Sequence, residues 1–93
     1  MEAIGRIPPH SVEAEVNVLG AMMLSRDAVV EASEVIGKND FYMDSHKIIF
    51  EMMTDLFESN QPVDLVTVTD ALRGKDLLEV VGGMDYVSDL PMH

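Results

Sequence analysis

The spacing of the apolar residues is the feature that most constrains how this chain folds. Near the start of the chain, four of them follow one another at intervals of four, three and four residues: Val12, Val16, Leu19 and Met23. That spacing places their side chains on one face of an α-helix, which repeats every 3.6 residues. Ser11 precedes the stripe and is a typical N-cap residue. The pattern therefore predicts a first helix that ends near Leu24.

Similar patterns recur along the rest of the chain. They predict helices over about 26–36, 45–58, 65–73, 77–81 and 84–90. Side chains able to cap a helix precede three of them: Ser25, Asp44 and Asp64. Residues that stop a helix follow: Gly37, Gly74, Gly82-Gly83 and Pro91. Segment 63–68 is rich in β-branched residues, but a strand there would have no partner elsewhere in the chain, so we predict helix.

These elements predict an all-α fold, a compact orthogonal bundle of about five to six short helices. Pro8-Pro9 cannot lie inside a helix, so residues 1–10 are predicted to form an extended arm and 11–93 a single helical domain. The predicted core includes Leu19, Phe41, Ile49, Phe50 and Leu56, and the pair Phe41-Tyr42 is predicted to anchor its loop. Gly20 lies within the first helix, where glycine is unfavourable, and predicts a close approach of another helix.

Charge and composition limit the kinds of partner. The 93 residues carry a formal net charge of −11, and the six cations are dispersed along the chain. Binding to nucleic acid depends on Lys and Arg at phosphates, so we predict none. The acidity favours a basic protein partner or serves only solubility, and the sequence does not separate these two interpretations. No apolar run approaches the roughly 18 residues of a membrane span, and no signal peptide is recognisable, which predicts a soluble cytoplasmic protein without membrane contact.

A search for chemical motifs yields no catalytic, cofactor-binding or metal-binding residues. Gly74-Lys75-Asp76 lacks the glycines and the hydroxyl residue of a phosphate-binding loop. The three histidines have no metal-ligand spacing: His10, His46 and His93. Asp44-Ser45-His46 contains the residue types of a hydrolase triad, but adjacent positions do not provide its geometry. The carboxylates, Glu13 and Glu15 among them, are predicted to lie on the solvated surface.

Four sequence blocks, in this order, resemble one family. They are Arg6-Ile7-Pro8-Pro9-His10-Ser11 with Glu13-Ala14-Glu15 and Val18-Leu19-Gly20; Asp40-Phe41-Tyr42 with His46 and Ile49-Phe50; Pro62-Val63-Asp64-Leu65-Val66-Thr67; and Val81-Gly82-Gly83 with Tyr86 and Leu90. Together they are similar to the amino-terminal domain of bacterial replicative DNA helicases of the DnaB type. The resemblance covers nearly the whole chain, from Arg6 to about Leu90.

The resemblance implies the globular head of that domain, a non-catalytic part of an ATP-dependent, hexameric DNA-unwinding motor. In the family these domains form a collar and dock primase, and loaders engage the same helicase. The family's long helical hairpin, its linker and its ATPase domain, which binds ATP and Mg, have no counterpart in the 93 residues. We therefore expect a fragment that has no enzymatic activity or cofactor of its own and is monomeric without the hairpin.

The end of the chain is the predicted partner-binding site, because it borders the position of the family's hairpin. Its residues are Met84, Asp85, Tyr86, Asp89 and Leu90. The competing interpretation, that Tyr86 and Leu90 are buried within the head, stays open. Two other functions also stay open: a standalone helical adaptor with no ATPase attached, and a small enzyme, which a deep pocket lined by polar groups would indicate.

Overall fold

The structure, a computed structural model, describes residues 11–92 and contains no strand within them. The five α-helices are α1 (Val12–Leu24), α2 (Arg26–Val35), α3 (Asp44–Glu58), α4 (Leu65–Gly74) and α5 (Gly83–Asp89). Two 3₁₀ helices, Lys38–Asp40 and Leu90–Met92, complete the regular structure. The predicted all-α fold is confirmed, whereas the predicted arm over residues 1–10 lies outside the described residues.

Side chains cap three helices as the sequence predicts. Ser11 and Ser25 each accept a hydrogen bond from the backbone N–H three residues later, over 3.2 and 3.3 Å. At α4 the Thr67 N–H donates to the Asp64 carboxylate over 2.9 Å, and the Asp64 N–H donates to the Thr67 hydroxyl over 3.0 Å. This reciprocal pair satisfies two amides that a helix start leaves unpaired, so the β-branched segment begins a helix.

The predicted cap of α3 and the predicted stop of α2 are wrong. Asp44 is the first residue of α3, and Met43 occupies the cap position without a side-chain hydrogen bond. An acid within the first turn still interacts favourably with the helix dipole. Helix α2 ends at Val35, and Gly37 has an extended backbone with φ −111° instead of a left-handed one.

Three further details of the helices differ from the prediction. Residues 77–81 form turns instead of a helix, since so short a segment gains few hydrogen bonds for the cost of starting a helix. Gly74 is the last residue of α4, and the left-handed conformation after it belongs to Asp76, with φ 58°. Helix α5 ends at Asp89, before Pro91 and one residue earlier than predicted, and the 3₁₀ helix Leu90–Met92 continues through Pro91.

The core lies between α1 and α3, with the other elements packed around it. Four of the five predicted core residues are buried, and Leu56 is half-buried. Phe41 packs against Phe50 with their ring centroids 5.0 Å apart, whereas the Tyr42 side chain is exposed, so Phe41 is the residue of that pair whose side chain lies in the core. The predicted apolar faces are wrong at Val12 and Val35, which are exposed at the ends of their helices.

Gly20 is the point where the end of the chain crosses α1. A Cβ atom built on Gly20 would lie 2.3 Å from the carbonyl oxygen of Leu90 and 3.1 Å from the Cα of Pro91. No side chain fits there without moving backbone, so the predicted close approach is confirmed. This crossing holds the 3₁₀ helix Leu90–Met92, and with it the end of α5, against the first helix.

Candidate functional site

The predicted partner-binding residues lie on α5 and on the 3₁₀ helix that follows it. Met84 is 42% exposed, and Asp85 and Asp89 are also exposed. Tyr86 is half-buried, and Leu90 is 1% exposed and belongs to the core. The structure therefore places three of the five side chains on one exposed surface, and Leu90 supports that surface from beneath. Whether this surface binds a partner remains a prediction.

Two glycines set the start of α5. Gly82 has φ 119° and Gly83 has φ 84°, conformations that L side chains rarely adopt. A Cβ atom on Gly82 would also lie 2.8 Å from the Cβ of Tyr86. The Gly-Gly pair thus allows a sharp entry into the helix and leaves room for the Tyr86 ring to fold back towards the core.

Beneath α5 lies a buried polar network that joins Glu15 of α1, His46 of α3 and Tyr86. Glu15 and His46 are both 0% exposed. His46 Nδ1 is 2.6 Å from Glu15 Oε1, and His46 Nε2 is 2.5 Å from the Tyr86 hydroxyl oxygen. The imidazole and phenol rings are stacked, with an interplanar angle of 15°. The network therefore connects three helices through one imidazole.

The Glu15 carboxylate also holds the loop that leads into α3. The Tyr42 N–H donates to its Oε2 over 2.6 Å, and the Met43 N–H donates to its Oε1 over 3.4 Å. Among the described residues, no buried side-chain nitrogen or oxygen lacks a hydrogen-bond partner. A buried carboxylate is tolerated only when its oxygens receive such donors, and here backbone and imidazole supply them.

Carboxylate, imidazole and hydroxyl stand in the same order as in the catalytic triad of serine hydrolases. The hydroxyl here belongs to a tyrosine whose pKa is raised by burial and by the negative charge of Glu15. Both effects oppose loss of the phenol proton, so they disfavour a nucleophilic oxygen. The arrangement is suited to fixing the position of Tyr86, and it does not favour covalent chemistry.

The raised pKa predicts a specific titration behaviour. In Tyr42→Phe, Tyr86 is the sole tyrosine, and the chain contains no tryptophan. The phenolate absorbance of this variant should then rise with a midpoint above the ordinary value of 10.0. The same protein unfolded in guanidinium should return to about 10, and a folded-state midpoint at or below that value would contradict the geometry.

The same shift has a consequence for stability at alkaline pH. Because the pKa of Tyr86 is higher in the folded state, the folded protein binds this proton more tightly than the unfolded chain does. The resulting stabilisation is complete below about pH 10 and is lost as the pH rises through the folded-state pKa. The free energy of unfolding of Tyr86→Phe, measured by denaturant at a series of pH values, should therefore fall less steeply above about pH 10 than that of the unaltered protein.

Elsewhere on residues 11–92 the surface has grooves that are open to solvent. One groove of about 540 Å³ on α1 is lined by Val12, Glu13, Val16 and Asn17, and it is open to solvent. It lacks the convergent polar groups that would indicate an enzyme pocket. Within residues 11–92 no group of three His, Cys, Asp or Glu side chains could hold a metal ion. In the same part of the chain, none of the helices is both long and apolar enough to cross a membrane.

Comparison with known proteins assigns this fold to a family. The sequence model of the DnaB-like helicase N terminal domain matches residues 7–92. The chain belongs to this family. The crystal structure of the N-terminal domain of DnaB helicase from Mycobacterium tuberculosis superimposes with a TM-score of 0.87 at 36% sequence identity. That match covers 92% of this DnaB-like chain and 62% of the mycobacterial one.

Two curated relatives of this DnaB-like chain are replicative DNA helicases. The helicase DnaC of Bacillus subtilis is 49% identical over 85 residues, and the helicase DnaB of Geobacillus stearothermophilus is 48% identical over 85 residues. Each match covers 91% of the chain but only 19% of the relative. The resemblance predicted from the four sequence blocks is thus confirmed, and the chain spans about a fifth of the length of these helicases.

The network joins residues from three of the four blocks on which that resemblance rests. Glu15 lies in the first, His46 in the second and Tyr86 in the fourth. This site was not predicted from the sequence, because Glu15 was expected on the solvated surface and His46 had no metal-ligand or triad spacing. One signal was available: position 15 precedes Val18, Leu19 and Met22 by three, four and seven residues, so it falls on the face that the structure shows to be buried.

Proposed function

We propose that this chain is a non-catalytic protein-interaction domain of a replicative DNA helicase. In the parent hexamer it contributes to the N-terminal collar and to the docking of primase and of the helicase loader. The observation that carries this proposal is the agreement with the family over residues 7–92 together with 49% identity to a replicative helicase. The parent is then an ATP-dependent DNA-unwinding enzyme of the bacterial cytoplasm. On this proposal, ATP and Mg bind outside the 93 residues.

The exposed surface of α5 has the chemistry of a protein contact. Met84 offers a flexible, exposed apolar side chain, and Asp85, its neighbour in the sequence, offers an exposed carboxylate. A basic partner with an apolar patch would complement it, and the net charge of −11 would speed their encounter.

The charge distribution also supports a protein partner over DNA. Three of the cations each lie next to a carboxylate: Lys38 with Glu51 at 3.3 Å, Lys47 with Asp44 at 3.6 Å, and Arg73 with Asp70 at 3.3 Å. A fourth, Arg26, donates to the Gln61 carbonyl oxygen and lies 4.8 Å from the centroid of the Phe57 ring. Since these cations are occupied and dispersed, they do not form the basic stripe that binding to phosphates requires.

Calorimetric titration of primase into the full-length parent helicase tests the docking role of α5. The variant Met84→Ala/Asp85→Asn removes one exposed apolar side chain and one charge, and it should weaken binding about tenfold or more, as expected for losing a central contact. Val30→Ala/Glu31→Gln is the matched control, because Val30 is 39% exposed and Glu31 follows it on α2. Equal affinities for the two double variants and the parent would remove α5 from the docking surface.

A further inference from the structure

The order of protons along the network follows from what each group can donate. The two backbone N–H groups that reach Glu15 can only donate, so both carboxylate oxygens act as acceptors there. Oε1 of the same carboxylate lies 2.6 Å from His46 Nδ1. This contact is a hydrogen bond when Nδ1 carries the proton and Glu15 is ionised.

The second imidazole nitrogen then determines what happens at Tyr86. In a neutral ring with the proton on Nδ1, Nε2 has a free lone pair, and the Tyr86 hydroxyl 2.5 Å away can donate to it. In a doubly protonated ring Nε2 would donate instead, and the phenol proton would need another acceptor. The neutral ring satisfies every polar atom of the network with the partners present, so it is the state that the geometry favours.

Helix α5 needs such a directional contact. It has seven residues, and both its cap Gly82 and its first residue Gly83 have positive φ, so it gains little stability from its own hydrogen bonds. Val87 and Leu90 bury apolar side chains beneath it, but apolar contacts are non-directional. The bond from Tyr86 to His46 is directional, and it fixes the rotation of the helix about its axis.

We propose that Glu15 is a positioning residue for α5. It holds His46 in the Nδ1–H tautomer, so that Nε2 accepts from Tyr86 and the helix is locked in one orientation. The exposed side chains of Met84 and Asp85 are thereby presented in a fixed direction. That this fixed orientation matters for partner binding rests on the proposed function. The positioning of α5 by Glu15 does not depend on that function.

The tautomer is measured directly by long-range ¹H–¹⁵N NMR correlation of the His46 ring in the intact chain at neutral pH. The expected spectrum has a protonated Nδ1 and an unprotonated Nε2. In Glu15→Gln, a near-isosteric change, this preference should weaken, while Glu13→Gln in the same helical turn should leave it unchanged. A wild-type ring protonated on both nitrogens, or on Nε2 alone, would overturn the proposal.

Hydrogen exchange of the α5 amides measures how firmly the Tyr86–His46 hydrogen bond holds α5 in place. Tyr86→Phe keeps the ring and deletes the hydroxyl, and it should speed exchange in α5 about tenfold, the effect of one net hydrogen bond, without affecting α4. Because Glu15 acts on α5 through His46 and Tyr86, Glu15→Gln should add no further acceleration in the Tyr86→Phe background. Unchanged α5 exchange in Tyr86→Phe would overturn the proposal even if Glu15→Gln failed to fold.

The same variants separate this inference from the proposed function. If Tyr86→Phe loosens α5 but the parent helicase binds primase with unchanged affinity, the positioning role of Glu15 stands and the docking role of α5 is refuted. If exchange in α5 is unchanged, the positioning role is refuted whatever the affinity.

Discussion

Replacing Glu15 by alanine is expected to lower the free energy of unfolding by about 3–5 kcal/mol, because it leaves buried hydrogen-bond donors without an acceptor at a cost of about 1–3 kcal/mol each. The carboxylate is fully buried and receives the Tyr42 and Met43 amides as well as the His46 ring. All three donors would lose their acceptor, and water could not easily replace it. Denaturant unfolding followed by circular dichroism measures the loss.

Glu13→Ala is the matched control for this prediction. Glu13 lies in the same first turn of α1, has the same charge and is exposed. Its replacement should change the free energy of unfolding by no more than about 0.5 kcal/mol, as is usual for a surface site. Equal effects at positions 13 and 15 would mean that the buried network contributes little to stability.

Gly20→Ala is expected to lower the free energy of unfolding by about 1–3 kcal/mol, which is typical of forcing extra atoms into a well-packed site. The new methyl group would lie 2.3 Å from the Leu90 carbonyl oxygen, which belongs to backbone and cannot rotate away. Alanine normally favours a helix over glycine by about 1 kcal/mol, so a net loss requires the clash to exceed that gain. Denaturant unfolding again provides the measurement.

Gly74→Ala tests the same substitution where space is available. Gly74 is the last residue of α4, and no other atom lies within 4 Å of a Cβ built there. This variant should be neutral or more stable by up to about 1 kcal/mol. A stabilised Gly20→Ala would show that the end of the chain does not cross α1 as closely as described.

Much of the fold could be predicted because it depends on short-range signals. Ser11, Ser25 and Asp64 each act on an amide three residues away, so the sequence pattern alone identifies them. The apolar spacing likewise predicted the buried positions near the middle of α1 and α3. The predictions failed at helix ends, for example at Gly37, whose backbone is extended and whose N–H donates to the Asp40 carboxylate over 2.8 Å.

The buried network could not be predicted in the same way because its members are far apart in sequence. Glu15 and His46 are separated by 31 positions, and His46 and Tyr86 by 40. A glutamate in a first helical turn is usually solvated and interacts favourably with the helix dipole, and the only local feature that distinguishes Glu15 from Glu13 is its spacing to Val18, Leu19 and Met22. Only the packing of α1, α3 and α5 makes one of these carboxylates part of the core.

The predicted partner site at α5 was partly predictable from the sequence and partly not. Tyr86 was chosen from its place near the end of the chain, and the structure gives it a second role, as the residue through which α5 is tied to the core. Leu90 is buried, as the competing interpretation held, because its backbone crosses α1 at Gly20. The exposed part of the site is therefore smaller than the sequence suggested, and it centres on Met84, Asp85 and Asp89.

Light scattering after size-exclusion chromatography, with and without primase, tests the central claim that this chain is an interaction domain of a replicative helicase. It would compare residues 1–93 with the parent protein. We predict a monomer for residues 1–93, and a hexameric parent that elutes together with primase. A parent that neither self-associates nor retains primase would contradict the account, and a stable dimer of residues 1–93 alone would contradict the placement of the interface.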